Sequence, residues 1–332
     1  MRFLRFMALL SLLLPVVLSC NKDLNVNAEW RDITVVYGLL DQSRDTTFIK
    51  ITKAFLGEGD ALQFSKVPDS STYPDKLDVW LVVYSQAALI DSLRCDTITI
   101  HNKQAGDSTF YYPDQLMYFT RTKLNENYSY KLYIKNRKSG KEITSQTVLV
   151  RDFEIAMPNG NISFPPGKTF RVKWTTAKNG NGKRYQLLIR FYYQEALKIK
   201  PDSLYLKSVD WTLFSDIQPT DASISQQFDL YFPSDNFYTL VGRKIDSSYL
   251  VSRRVAHHCQ FIFSVAAPEL NTYIDVTKPS LSLVQERPAY TNIVNGIGLF
   301  SARFTKSVDT LGVSDLTKKE LKVNPATLHL GF

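Results

Sequence analysis

The 332-residue chain is 44% hydrophobic and 13% aromatic, ample material for a packed core. Its formal charge of +8 is spread through pairs such as Arg243/Lys244, Arg253/Arg254 and Lys318/Lys319, none of them a dense basic run. With no nucleic-acid motif beside them, these cations read as solvated surface, and a nucleic-acid partner is not expected.

The chain opens with Arg2 and Arg5, then the apolar run Met7–Leu18, then small Ser19 immediately before Cys20. A positive start, a short apolar stretch and a small-residue cleavage site, in that order, make a secretory leader. The apolar run is about a dozen residues where a membrane span needs roughly 20, so residues 1–19 are expected to be cut away. Val17-Leu18-Ser19-Cys20 reads as a bacterial lipobox, in which the cysteine becomes the lipidated first residue of the mature protein. Cys20 is thus the candidate modification site, and residues 20–29 are a polar tether between lipid and fold. A thioether-linked lipid and an N-acyl chain together suffice for stable anchoring, at about 0.8 kcal/mol per buried CH₂.

From residue 30 to residue 150 the pattern is period-two alternation broken by turns, the signature of antiparallel β structure. Ile33, Val35, Tyr37 and Leu39 form the first strand, and Phe48–Thr52 the second. Gly57–Pro74 is a loop. Leu77, Val79, Leu81 and Val83 alternate with Trp80, Val82 and Tyr84, so this strand is apolar on both faces and expected to be central. Ile98 and Ile100 lie on another. Tyr128, Tyr130, Leu132 and Ile134 turn at Ser139-Gly140 into Ile143, Ser145, Thr147 and Leu149, a hairpin. Roughly five to seven strands over about 120 residues match an immunoglobulin- or fibronectin-like β-sandwich.

A boundary is expected after Val150, where Met157-Pro158-Asn159-Gly160 and Phe164-Pro165-Pro166-Gly167 interrupt strand pairing. Residues 151–332 read as a second, β-rich domain with one or two short helices, which makes the whole chain mainly β. Phe170, Val172 and Trp174 precede the turn signal Asn179-Gly180-Asn181-Gly182. Tyr185, Leu187, Ile189, Phe191 and Tyr193 follow, so a hairpin is predicted there. Val209–Leu213 and Phe228–Phe232 are further strands. Ser234 is placed as the cap of a short helix whose apolar positions are Phe237, Leu240, Val241 and Ile245. Val255–Ala266 is a long central strand. Leu270, Tyr273 and Ile274 suggest helical turns, and Asp315–Leu321 another short helix. Leu299–Phe304 and Leu328–Phe332 are expected to be closing strands.

Chemistry-bearing patterns are sparse. His257-His258 is the one pair of neighbouring histidines, and on a strand their side chains should point to opposite faces, poor geometry for a shared metal. His101 and His329 stand apart. No H-E-x-x-H, G-x-S-x-G, P-loop or G-x-G-x-x-G occurs, so no catalytic, cofactor-binding or metal residues are assigned and the chain is not expected to be an enzyme. Asp75 and Asp78 read as solvated acids. Asn295-Gly296-Ile297-Gly298 is backbone geometry, needing positive φ or close approach. Cys95 and Cys259 lie far apart in sequence, and Cys259 alternates with Phe261, Phe263 and Val265, which favours a buried free thiol. Aromatic platforms for a glycan could come from Tyr73, Tyr111-Tyr112 or Tyr192-Tyr193.

Near the C-terminus, Asn292-Ile293-Val294-Asn295-Gly296-Ile297-Gly298-Leu299-Phe300-Ser301-Ala302 resembles the closing N-I-x-x-G-x-G-x-F-x-A signature of a Bacteroidetes lipoprotein family known as domain of unknown function four-two-four-nine. The lipobox cysteine, Val35–Leu40 and Gly140–Ser145 are similar to the family's N-terminal module, with Tyr37 where the family carries an acid. The resemblance implies an outer-membrane lipoprotein, facing periplasm or cell surface, with a β-sandwich ahead of a second β-rich domain. It also implies partnership with an outer-membrane barrel, a TonB-dependent transporter, and supplies no catalytic residues. Adhesion or glycan binding at the cell surface is the alternative role.

Overall fold

The computed structural model describes residues 33–54, 67–101, 114–178, 180–221, 224–278 and 289–332. The leader, Cys20, the tether, Tyr111 and Tyr112 lie outside them. The chain is mainly β, as its alternation implies, and its strands stack as two joined sandwiches.

The first sandwich uses β1 (Ile33–Leu40), β2 (Thr47–Ala54), a one-turn helix α1 (Pro68–Ser71), β3 (Asp78–Ser85) and β4 (Ala88–Arg94). β5 (Asp96–Ile100), β6 (Gln115–Thr120), β7 (Ser129–Lys135) and β8 (Glu142–Val148) complete it from the first half of the chain. One layer runs β4-β3-β7-β8; the other contains β1-β2-β6-β5. Between them Val79, Leu81 and Val83 of β3 and Tyr130, Leu132 and Ile134 of β7 are buried with Val36, Leu40, Ile49 and Ile51. The predicted β7–β8 hairpin forms, with Ile134 opposite Ile143, and β3 sits inside its sheet as its two apolar faces require. On β1 the core face is the even one: Val36 and Leu40 are buried while Tyr37 is 45% exposed. With apolar residues on both faces, alternation alone cannot say which side is inward.

The second sandwich begins with β9 (Ile155–Met157) and β10 (Thr169–Thr175), and continues with β11 (Arg184–Leu197), β12 (Lys200–Ile217) and β13 (Gln227–Pro233). Then come α2 (Asp235–Lys244), β14 (Val251–Ala266), α3 (Pro268–Thr277), β15 (Gly296–Gly312) and α4 (Asp315–Val323). The predicted β10–β11 hairpin does not form. β10 pairs with β13 and β9, while β11 pairs with β12 and β14. The apolar face of β10 lies over that of β11 instead of beside it. Trp174 stacks on Phe214 and Phe228 and touches Tyr185 and Phe263, with centroids 4.9–6.2 Å away. The Tyr185 hydroxyl accepts a 2.7 Å hydrogen bond from the Ala177 amide, fixing the link between the two layers. Two fully apolar faces separated by a turn can fold edge to edge or face to face; the period is the same in both.

α2 buries Phe237, Tyr238 and Val241, and Phe237 stacks on Phe164 at 4.1 Å. Ser234 precedes it without a side-chain cap; Asp235 in the first turn instead accepts from the Gly167 amide. Leu328–Phe332 is not a strand. Leu328–Leu330 is a 3₁₀ turn, held because Thr327 Oγ1 donates to the Leu321 carbonyl and Arg254 captures the Leu330 carbonyl.

β15 joins the two sandwiches. Its first half runs parallel to β1, with Val36 opposite Gly298 and Leu40 opposite Ala302, and its second half runs antiparallel to β14. The result is one eight-stranded sheet, β12-β11-β14-β15-β1-β2-β6-β5, containing strands from both sides of residue 150. A parallel pair needs a long crossover, and here everything from β2 to α3 supplies it. The motif around this strand acquires a physical meaning. Asn292 accepts from the Phe300 amide and donates to the Phe300 carbonyl, closing a loop in which Asn295 has φ 60°. Ser145 Oγ donates to the Asn292 carbonyl and Thr144 bridges to Val294, so residues 292–294 lie on β8 of one layer before 296–302 join β1 of the other. Ile293, Phe300 and Ala302 are buried in between. Gly298 has φ +115°, and a Cβ there would sit 2.0 Å from the Val36 carbonyl oxygen. The two glycines serve close backbone approach, as the sequence implies.

Candidate functional site

A cavity of about 510 Å³ opens on the first sandwich where β1, β2 and β6 meet the segment after α1. Its wall is built from three neighbouring strands, and β2 lines it continuously from Lys50 to Ala54. β1 contributes Val35 and Tyr37, β2 contributes Lys50 and Thr52, and β6 contributes Leu116 and Tyr118. Tyr73, Asp114 and Gln115 form the rim. The tyrosine hydroxyls are fixed by the fold: Tyr73 shares a 2.7 Å hydrogen bond with Thr34 Oγ1, and Tyr118 accepts from the Leu77 amide at 2.9 Å. Tyr37 leans edge-on against Tyr273 of α3, centroids 6.4 Å apart. Burial raises the Tyr37 hydroxyl above its usual pKa, and its hydrogen bond with Tyr273 adds to this. Burial likewise raises Tyr118, against the Leu77 amide, which favours the phenolate. Both are neutral phenols at physiological pH. Ring edges and faces, a lysine, hydroxyls and an amide around one concavity suit a polyhydroxylated, partly apolar ligand better than a bare ion.

Of the three aromatic platforms read from the sequence, Tyr73 is in this cavity. Tyr193 is buried at 5% exposure, and Tyr192 is covered by the ring of His258, stacked at 4.4 Å. Tyr37 reads in the sequence as an ordinary strand residue and Tyr118 falls in no predicted strand; only the assembled β1-β2-β6 sheet gathers them. An exposed tyrosine opposite the core face of a strand is the signal that marks Tyr37.

His257 and His258 do not point apart. The β11–β14 pairing slips between Tyr192 and Tyr193, a bulge that turns both imidazoles to one side, with Nδ1 atoms 2.5 Å from each other. A bulge breaks the two-residue period on which the opposite-face expectation rests. His258 is the half-buried member and His257 the exposed one. Desolvation lowers the His258 pKa, and neighbouring His257 lowers it further. Among the described residues no group of three or more His, Cys, Asp and Glu is placed to hold a metal ion. His101 pairs with Asp114 at 2.8 Å. Asp78 is held below the usual carboxylate range by Arg137, whose guanidinium grips it from two nitrogens. Cys95 and Cys259 are both buried and unbridged; burial pushes the Cys95 thiol up to about 11 and raises Cys259 too. Such thiols are inert at neutral pH.

A second concavity surrounds Arg184, whose side chain is 5% exposed. Its guanidinium donates to Asn271 Oδ1, to Asp216 and to Asp275, and Lys278 closes the ring by bonding both aspartates. Each charge is matched, so the cluster pins α3 to β11 and β12. Asp216 is held below the ordinary carboxylate range by hydrogen bonds from Lys278 and Gln218 and by the Arg184 charge. A carboxylate with a depressed folded pKa stabilises the fold above its unfolded pKa, about 4, and that contribution is lost as pH falls through the folded value. The urea midpoint is expected to be flat from pH 7 to pH 5 on this account and to drop below about pH 4. Asp216→Asn should flatten that acid limb; an unchanged limb would assign the acid sensitivity elsewhere.

The class that this architecture defines is a mainly β protein of two fused sandwiches with a tyrosine-lined concavity on the first. No family model and no curated protein matches the chain. Among solved structures it is similar to the C-terminal globular domain of an oligosaccharyltransferase from Pyrococcus abyssi, at 8% identity and a TM-score of 0.26, covering 70% of this chain and 46% of that one. It is also similar to trypsin-activated alpha-2-macroglobulin from Escherichia coli, at 11% identity and a TM-score of 0.17, covering 71% of this chain and 14% of that one. The chain thus spans less than half the length of either. No helix among the described residues is long and apolar enough to cross a membrane.

Proposed function

We propose that the mature protein is a lipid-anchored component of the outer membrane, a non-enzymatic partner of a barrel transporter or surface assembly. The observation that carries this reading is Cys20 directly behind Ser19 and the apolar run Met7–Leu18. The resemblance of residues 292–302 to the Bacteroidetes lipoprotein signature supports it, and sandwiches joined by one shared sheet suit the presentation of loops and edges. Cys20→Ala is the test. Fractionation should move the protein from the outer membrane to the soluble periplasm, or leave it unprocessed, while cross-linking of the wild-type protein in intact cells should yield a barrel partner. Retention of processed Cys20→Ala in the outer membrane would contradict the anchor, and recovery of the wild-type protein alone would contradict the partnership.

A second reading, glycan binding, is favoured by the tyrosine-lined concavity. Sugar C–H faces stack on aromatic rings, and hydroxyls match Lys50, Asp114 and Gln115. Tyr37→Ala removes a ring exposed at the mouth without touching the core face of β1. Titration with envelope oligosaccharides is expected to show about tenfold weaker binding for this variant, the size of one lost stacking contact, near 1.4 kcal/mol. Equal affinity for both forms, or no binding by either, would retire this reading.

A further inference from the structure

The geometry points to a second binding surface, the outer edge of β12, and we propose that its occupant is β12 of a second copy of this chain, paired antiparallel about Tyr205. β12 ends the eight-stranded sheet, and its far side has no strand partner among the described residues. From Lys200 to Ser208 every residue is exposed, so this half of the strand stands clear of the core on both faces. Its centre is apolar: Leu204, Tyr205 and Leu206 are 42%, 43% and 54% exposed. A long, bare, apolar edge is a template for another strand, and proteins that stay monomeric blunt such edges with unpaired charge. At the centre of this edge the nearest charge, Lys207, is ion-paired to Glu195 of the neighbouring β11, and Lys200 and Asp202 lie toward its end.

The sequence of the edge selects the partner. An antiparallel pair of identical strands places residue i opposite residue j with a constant sum, and the ladder admits only sums that keep like-facing residues together. With the two-fold at Tyr205, Leu204 meets Leu206 of the second copy and Tyr205 meets Tyr205. Asp202 meets Ser208, and Lys200 meets Asp210 at both ends. Leucine faces leucine and tyrosine faces tyrosine, Ser203 meets Lys207, no like charges meet, and Lys200 approaches Asp210, which Arg190 of β11 also holds, so the pairs at the centre are ones that stabilise cross-strand neighbours. Moving the axis to Ser203 or Leu204 sets Asp202 against a leucine, and moving it to Leu206 sets Asp202 against Asp210. A self-complementary strand is what an isologous two-fold contact requires. Pro201, the one residue of this run without an N–H, lies one position from the end of the paired segment and leaves its centre intact.

The test uses the full-length protein in its own membranes. Tyr205→Cys puts a thiol on the two-fold axis, whereas Ser208→Cys puts an equally exposed thiol opposite Asp202; Cys95 and Cys259 are buried and unreactive. Mild oxidation followed by non-reducing electrophoresis should convert most of Tyr205→Cys into a dimer of the chain and leave Ser208→Cys monomeric. Asp202→Cys combined with Ser208→Cys should restore the dimer. Equal cross-linking of both single variants, no dimer from Tyr205→Cys, or an adduct with a different protein would each overturn the proposal.

Discussion

Gly298→Val is expected to destabilise the fold more than any other single change at a glycine, by at least about 3 kcal/mol. At φ +115° the residue occupies backbone space that L side chains rarely adopt, and the added Cβ would lie 2.0 Å from the Val36 carbonyl oxygen. The obstacle is the Val36 backbone, so no rotamer relieves it. Relief requires β15 to part from β1, exposing Phe300 and Val36, which are fully buried. Graded controls sharpen the expectation. Gly296→Ala meets the Thr34 carbonyl oxygen at 2.8 Å and should cost less. Gly140→Ala, at φ +70° with nothing within 4 Å, should cost about 1 kcal/mol from backbone strain alone. Urea unfolding of the series reads the order directly; a Gly298 variant no less stable than Gly140→Ala would refute the closing role of β15.

Arg254→Ala ranks next, at about 3–5 kcal/mol. Its side chain is 3% exposed and gathers three parts of the second sandwich. Nε donates to Glu195 Oε2 at 3.2 Å, Nη2 donates to the Asp246 carbonyl after α2 at 2.9 Å, and Nη1 donates to the Leu330 carbonyl. Truncation leaves Glu195, with a side chain 6% exposed, dependent on Lys207 alone, and strands two carbonyls. The charge, more than the lost contacts, sets the size of the loss, because an uncompensated buried ion costs more than the pair gained. Replacing both partners, Glu195→Met with Arg254→Met, should therefore be milder than Arg254→Ala. Thermal unfolding of the three proteins decides this. A double variant as damaged as the single one would place the energy in the carbonyl contacts instead.

These two sites also show how much of the structure the sequence discloses. The glycine pair could be read as a close backbone approach, because no phosphate cradle or following helix accompanied it. That it seals β15 onto β1 could not, since a parallel pair between the first strand and the last leaves no local trace. Strongly periodic elements are legible: β3 and the β7–β8 hairpin have the expected places, and the helices near Phe237, Tyr273 and Leu321 are where apolar spacing puts them. β4 is silent because all of its residues but Leu93 are exposed and its turn uses Gln86 and Ala87 at φ 46° and 74° instead of glycine or asparagine. β10 and β11 each show a perfect apolar face, yet period two does not distinguish stacking from pairing. The histidine pair misleads for the opposite reason, a bulge that resets the period by one residue. The cavity was legible only at Tyr73; Tyr37 and Tyr118 come from strands whose neighbours are set by distant segments.

Mass spectrometry of the N-terminal peptide from the native membrane-extracted protein tests the anchoring claim most directly. The account predicts a mature chain beginning at Cys20, with a diacylglyceryl thioether on its sulfur and an acyl chain on its amine. An unmodified N-terminus anywhere downstream of residue 20, or an intact leader on the bulk of the protein, would contradict it.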